Sequence, residues 1–320
     1  MQHTESNNGV SSSIARAARS RYEAGSVTLT ERVCKSNGIA LNLAVGPRSG
    51  PPLLLLHGVT RTWQDFRNLI PRLSERWQVF APDFRGHGRS GRSPRRYRVA
   101  DYIKDTAALL ENEIPGAPAI FGHSLGALVA AALAARFPAR VRAVVLEDPP
   151  FSALGSQIAQ TPFHLQFVGM RALVGQGLAL PELERQLASL PTIRVRDGAR
   201  VQLSELRDPA SIRFSAECLT NLDPAVLDPL VDGDWMDGTS GADWRRIECP
   251  ALLLKGETTA GAMLTEVEAA EVARALPACR REDFPGVGHL IHESQPDRTL
   301  ELLAAFLGGN HQTHYQETNP

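Results

Sequence analysis

The residue best placed to do chemistry is Ser124, in Gly122-His123-Ser124-Leu125-Gly126, between the apolar run Ala119–Phe121 and the alanine-rich, helix-spaced run Leu125–Arg136. A serine on a sharp strand-to-helix turn is presented for nucleophilic attack on a carbonyl carbon. Such a turn needs small residues two positions to either side, because its backbone is strained and neighbouring chain comes close. Gly122 and Gly126 supply that space. The helix that follows aims its N-terminal N–H groups at the site, where they favour the negative charge that grows on an attacked carbonyl oxygen. In a chain with 26 glycines the pattern could arise by chance, and the flanking strand and helix patterns are what separate it from coincidence.

The elements that must position this serine follow an α/β order. Val27–Val33 and Ile39–Val45 alternate as an opening antiparallel pair, and Pro52–Leu56 is a short continuous apolar run of the kind buried on both faces. Trp77–Ala81, Ala119–Phe121, Val141–Leu146 and Ala251–Lys255 repeat that signature, separated by helical patterns at Tyr102–Glu113, Leu125–Arg136 and Thr265–Leu276. The expected organisation is a core of residues 25–148 and 247–308, interrupted by a helical cap over 149–246. That cap is broken by Pro162, Pro181, Pro191, Pro209, Pro224 and Pro229 and has no clear buried strand. Residues 1–24 and 309–320 are polar and aperiodic and are expected to be flexible.

Composition excludes several classes. With 320 residues and 43% apolar content the chain can bury one large core with an added layer. Its 34 basic and 35 acidic residues leave a formal charge of −1, no footprint for nucleic acid or a charged membrane surface. Arg85, Arg89, Arg92, Arg95, Arg96 and Arg98 form a local basic run, but Gly and Pro break it and no aromatic stacking pattern accompanies it, so it reads as a solvated loop. Cys34, Cys218, Cys249 and Cys279 lie far apart without metal-ligand spacing, and are expected to be unpaired thiols with no metal site. Met1–Ala24 lacks the apolar stretch of a secretory signal, and no run approaches the roughly 20 apolar residues needed to cross a bilayer. A cytoplasmic protein without cofactor, acting on a small molecule and contacting neither nucleic acid nor membrane, is the expectation. Oligomeric state is not legible.

Leu53-Leu54-Leu55-Leu56-His57-Gly58-Val59, a buried strand running into His-Gly, together with the serine turn, resembles the α/β-hydrolase fold superfamily. The resemblance implies a mostly parallel central sheet flanked by helices. It also implies that Val59 and Leu125 donate backbone N–H groups to an oxyanion hole, an arrangement that needs backbone geometry and no particular side chain. His57 is then structural. Pro82-Asp83-Phe84-Arg85-Gly86-His87-Gly88-Arg89-Ser90 is similar to the family's D-x-R-G-x-G-x-S loop, with Asp83 and His87 tethering it. The late segment Gly286-Val287-Gly288-His289, after the strand-like Arg280–Phe284 and before the helix Arg298–Phe306, matches the place where the family carries its catalytic base. His289 fills that place and His292, three residues on, is its rival.

The acid departs from the commonest family pattern. After Ala251–Lys255 the chain reads Gly256-Glu257-Thr258-Thr259-Ala260-Gly261, with no Asp. In members of the zearalenone lactonase and acetamidomethylenesuccinate hydrolase type the acid instead follows the strand after the serine's helix, about two dozen residues beyond the nucleophile. Asp148, twenty-four residues after Ser124, matches that position. Glu257 and Glu147 are the alternatives, and strand alternation sends Glu147 and Asp148 to opposite sides. The competing role for Asp148 is to hold the turn at the entry to the cap.

A serine nucleophile argues against the fold's epoxide hydrolases and dehalogenases, which use Asp at that position. Ester, lactone, thioester, amide and carbon–carbon hydrolysis share the same oxyanion and stay open, as does cofactor-free peroxidation. A non-catalytic ligand receptor on this fold is the rival of another class. A largely apolar, small to mid-sized substrate is expected, with Trp63, Phe163, Phe167 and Trp235 as candidate pocket residues. Packing inside the cap is the competing reading for the cap aromatics.

Overall fold

Leu53, Leu54, Leu55 and Leu56 are all inaccessible to solvent, as a strand covered on both faces requires. Leu53 and Leu55 enter one apolar cluster, with Trp63, Phe66, Ile70, Leu303 and Phe306, whereas Leu54 and Leu56 enter the other, with the alanine-rich helix and the cap. The period of two along the strand thus creates two cores, one on each face of the sheet.

A computed structural model describes residues 20–24, 27–93, 97–154, 158–237, 243–276 and 278–308. In chain order the elements are β1 (Ser20–Ala24), β2 (Val27–Ser36), β3 (Ile39–Val45), β4 (Pro52–Leu56), α1 (Ile70–Leu73), β5 (Gln78–Pro82), α2 (Val99–Asn112), β6 (Ala119–His123), α3 (Leu125–Arg136) and β7 (Ala143–Glu147). After them come α4 (Phe163–Leu173), α5 (Leu180–Ala188), β8 (Pro191–Ile193), β9 (Arg200–Gln202), α6 (Pro209–Thr220) and α7 (Asp228–Asp232). The chain then returns to the sheet through β10 (Ala251–Gly256), α8 (Glu266–Ala275), β11 (Cys279–Phe284), α9 (Ile291–Ser294) and α10 (Pro296–Gly308).

Nine strands form one sheet in the order β1-β2-β3-β5-β4-β6-β7-β10-β11. The first three pair antiparallel, as β3 does with β5, and from β5 onward every pair is parallel. This is the mostly parallel central sheet flanked by helices that the resemblance implies. Its parallel strands point their C-terminal ends toward one rim, and β6, β7 and β11 end there at His123, Glu147 and Phe284.

Three expectations are adjusted. Residues 20–24, placed in a flexible segment, form the edge strand β1 paired with β2 from Ser20 opposite Glu31 to Ala24 opposite Val27. A polar edge strand needs backbone partners more than apolar alternation, so its sequence carries little signal. Residues 149–246 contain a small antiparallel pair, β8 with β9, beside their helices; three-residue strands are too short to show periodicity. The basic run is largely engaged: Arg85 is buried against Asp105 at 2.5 Å, Arg89 pairs with Glu31 and Arg98 with Asp234, while Arg95 and Arg96 lie outside the described residues. Residues 1–19 and 309–320 also lie outside them. Among the described residues no helix is long and apolar enough to cross a membrane.

Candidate active site

Close packing of the chain around Ser124 explains its glycines. A Cβ on Gly126 would sit 1.9 Å from the Leu56 carbonyl oxygen, and one on Gly122 would sit 2.2 Å from the Gly126 carbonyl oxygen. Helix α3 is therefore pressed directly onto β4 and β6, and its alanines are all buried. Ser124 itself takes φ 53° and ψ −115°, a conformation costly for a residue with a side chain. It is held there by its N–H donating to the Glu147 carbonyl at 2.9 Å and by its carbonyl accepting from Ala127 and Leu128. Leu125 opens α3, so its N–H belongs to the set that a helix leaves without internal acceptors.

The turn after β4 abuts this serine. A Cβ on Gly58 would lie 2.9 Å from His123 Nδ1 and 3.3 Å from Ser124 Cβ, and Val59 borders the same cavity as Ser124. His57 fixes this turn. Its Nε2 accepts from the Phe84 N–H at 3.0 Å, so Nδ1 carries the proton and donates to the Gly58 carbonyl at 2.8 Å. Burial lowers its pKa to about 4, which keeps it neutral. His87 and Asp83 tie the neighbouring loop in the same way: His87 Nε2 accepts from Thr60, and Asp83 accepts from the Trp63 and Arg89 backbones and the Asn42 side chain.

Asp148 is the first residue after β7, has φ 41° and is inaccessible to solvent. Its N–H donates to Leu254 of the adjacent strand at 2.9 Å. Its Oδ2 lies 2.5 Å from His289 Nδ1 and also accepts from the Met263 N–H at 2.8 Å, while Oδ1 accepts from the Leu264 N–H at 3.0 Å. A carboxylate that only accepts requires the proton on His289 Nδ1, which leaves Nε2 with a lone pair. Burial lowers the His289 pKa below its ordinary 6.5, with the Asp148 hydrogen bond opposing, so the ring is neutral at neutral pH. Ser124 and His289 both line one cavity.

Glu147 serves a different histidine. Its carboxylate receives the His292 N–H at 3.0 Å and lies 2.9 Å from His292 Nδ1 through both oxygens. His292 Nε2 stands 3.6 Å from Asp65 Oδ2, and Arg61 Nε stands 3.0 Å from Asp65 Oδ1. Burial alone would pull His292 down, but Glu147 and Asp65 outweigh it and raise the group to about 10. His292 is thus a buried imidazolium between two carboxylates. His123 stands between the two histidines, with ring centroids 4.7 Å from His289 and 5.0 Å from His292, and its Nε2 lies 3.0 Å from the His289 carbonyl oxygen. Arg61, Asp65 and Glu293 were not singled out from the sequence; the only local signal was the Arg61–Asp65 spacing of four just after the His-Gly turn.

Glu257 is exposed and is bonded to Gly286 N–H at 2.7 Å and to the Thr259 hydroxyl, tying the two late loops together. Those bonds lower its pKa.

The cavity over Ser124 has a volume of about 650 Å³. Phe163, Phe167 and Met170 of α4 give the cavity an apolar lining, and Val59 and His289 border it too. Trp63 and Trp235, expected in the pocket, are core residues instead. Trp63 is buried in the cluster on the opposite sheet face and donates its indole N–H to Glu31 at 2.9 Å. The 3-10 turn Trp63–Phe66 swings it away from the His57–Val59 turn that precedes it in sequence. Trp235 is fully buried, and its carbonyl accepts from Val99 at the start of α2. The cavity is also more polar than expected, since Arg61, Arg194, Arg196, Arg207, Glu205 and Glu293 border it.

The sheet order, the strained serine turn and the histidine at the rim define a class, and the sequence assigns the same one. The model of the Alpha/beta hydrolase family matches residues 53–302, and the chain belongs to that family. It is similar to 2-(acetamidomethylene)succinate hydrolase of Mesorhizobium japonicum, 28% identical over 268 residues that cover 81% of this chain and 88% of that one. It is 30% identical over 276 residues to the magnesium-chelatase 30 kDa subunit of Rhodobacter capsulatus, covering 82% of this chain and 89% of that one. Among solved structures, E-2-(acetamidomethylene)succinate hydrolase superposes with a TM-score of 0.68 at 25% identity, covering 88% of this chain and 99% of that one. The chain is an enzyme of the α/β-hydrolase class.

Proposed function

We propose that this enzyme cleaves an ester, lactone or amide bond of a small to mid-sized substrate through an acyl-enzyme on Ser124. The observation that carries the reading is the 2.5 Å contact between Asp148 Oδ2 and His289 Nδ1 at the rim where Ser124 opens into the same cavity. In this scheme His289 Nε2 takes the proton from Ser124 Oγ as the oxygen attacks the carbonyl carbon. The oxyanion is received by the Val59 and Leu125 N–H groups. The proton passes to the leaving alcohol or amine as the carbon–heteroatom bond breaks. Water then attacks the acyl-serine, losing a proton to His289, which returns it to Ser124 Oγ as the acyl–oxygen bond breaks and the acid product leaves. Asp148 holds the Nδ1–H tautomer and stabilises the imidazolium that forms. Phe163, Phe167 and Met170 pack against the apolar part of the substrate. Hydrolase activity in the relatives supports the reading.

Fluorophosphonate labelling of the folded protein with peptide mapping tests it. The expected result is a single modified residue, Ser124, lost in Ser124→Ala, together with turnover of p-nitrophenyl butyrate. Label elsewhere, or ester turnover that survives Ser124→Ala, would overturn the scheme.

A further inference from the structure

The charges that line the cavity do not all have partners. Arg61 is met by Asp65 at 3.0 Å, by Glu293 and by the Ser215 hydroxyl. Arg194 is met by Asp197 at 3.4 Å and Glu205 at 3.2 Å, and Arg196 stands 3.7 Å from Asp197. Asp208 caps α6 by accepting from the Ser211 N–H. Arg207 differs from all of these. It sits between the turn Leu203–Glu205 and α6, half-buried in the cap side of the cavity, and among the described residues its guanidinium forms no ion pair or side-chain hydrogen bond.

We infer that the substrate carries a carboxylate, received by Arg207 on the cap wall while Ser124 attacks the scissile carbonyl at the cavity floor. This rests on the acyl-enzyme reading for the reaction but on separate residues for the recognition. A planar guanidinium offers two parallel N–H donors that match the two oxygens of a carboxylate. A carboxylate fits better than a phosphoryl dianion, because Glu205 and Glu293 border the same cavity and repel a doubly charged group more strongly. Burial, with Arg61 nearby, lowers the Arg207 pKa to about 10 against the opposing carboxylates of Glu293 and Asp65, so the group stays charged at neutral pH. The apolar wall of Phe163, Phe167 and Met170 then faces the chain between carboxylate and scissile bond, and selectivity comes from that span.

The test is titration calorimetry on Ser124→Ala, with the monomethyl esters of succinate, glutarate and adipate against their neutral dimethyl esters. The expected result is that at least one monomethyl ester binds 10-fold or more tightly than its dimethyl counterpart. That ratio falls to near one in Ser124→Ala/Arg207→Gln, is partly kept in Ser124→Ala/Arg207→Lys, and persists in Ser124→Ala/Arg194→Gln. Thermal melts confirm that each variant is folded. A ratio near one for all three pairs, or one that survives Arg207→Gln or is lost in Arg194→Gln, overturns the inference. Binding here needs no turnover, so the two readings fail separately. An Arg207-dependent preference in a protein whose wild type cleaves no ester removes the serine mechanism alone, and ester turnover without that preference removes the carboxylate alone.

Discussion

Replacing Asp148 with Asn changes one atom of the buried carboxylate and isolates its charge from its shape. Asp148 has φ 41°, a conformation that Asn tolerates better than most residues, so the backbone need not move. The carboxylate accepts three hydrogen bonds, from the Met263 and Leu264 N–H groups and from His289 Nδ1. An amide has one acceptor oxygen. If that oxygen faces Met263 and His289, the NH2 group meets the Leu264 N–H; if it faces Leu264, the NH2 group meets both Met263 N–H and His289. Either way one buried backbone donor loses its acceptor, at a cost of about 1–3 kcal/mol. The second orientation also forces His289 to accept at Nδ1, which moves its proton to Nε2 and removes the lone pair that Ser124 needs. Loss of the right tautomer costs about 10⁴-fold in kcat in serine triads, and loss of the negative charge alone costs part of that. The expected outcome is a folded Asp148→Asn protein with a lower Tm and kcat for p-nitrophenyl butyrate reduced by roughly 10²–10⁴-fold. Turnover within about 10-fold of wild type, especially with Glu257→Gln inactive, would refute the reasoning.

Three further outcomes are expected. Burial lowers the His289 pKa below 6.5 and the base must be neutral, so kcat/KM should rise with pH through an inflection below 6.5 and be flat above it; an inflection above 6.5 counts against His289 as the base. His292 is raised to about 10, so its pairing contributes stability fully below pH 6.5 and loses it as pH climbs through about 10. His292→Gln should therefore cost about 3–5 kcal/mol at neutral pH and flatten the alkaline decline in denaturant melts, and wild-type and variant curves that run parallel from pH 6 to 10 would contradict this. Gly126→Ala brings a Cβ within 1.9 Å of a backbone oxygen that cannot step aside, so it should destabilise by about 3 kcal/mol or more, read from the same melts.

The serine turn was legible because sterics dictate it: only glycine fits where Gly126 lies on the Leu56 carbonyl, and that requirement is written into the sequence. The buried strands were legible for a related reason, since leucines on both faces of β4 must be covered. Contacts across the sheet were not legible from spacing. Asp148 and His289 are 141 residues apart, and Arg61 and Glu293 are 232 apart, so only the order of the strands brings them to one rim. Trp63 shows the limit of proximity in sequence. It follows the His-Gly turn closely, yet a single 3-10 turn sends it to the opposite core. Arg207 shows the complementary limit, because whether an arginine has a carboxylate beside it depends on how the cap folds over the site. The fold of the cap depends on short pieces docking onto the core, a requirement with no fixed period.

The strand that Asp148 follows lies inside the sheet, and the loop from Glu257 to Ala262 leads into the main-chain N–H groups of Met263 and Leu264 that bind its carboxylate. That loop borders the cavity, and among the described residues its side chains form no hydrogen bond to the Asp148 or His289 side chain. Only the Glu257 carboxylate, which takes the Gly286 N–H and the Thr259 hydroxyl, ties a side chain of this loop to the segment that leads to His289 among the described residues. Under the proposed mechanism, substitution at Ala260, which borders the cavity and whose side chain forms no bond in that tie, is expected to reshape what the enzyme accepts without disarming it, which makes this position the natural place for new substrate preferences to arise or to be selected.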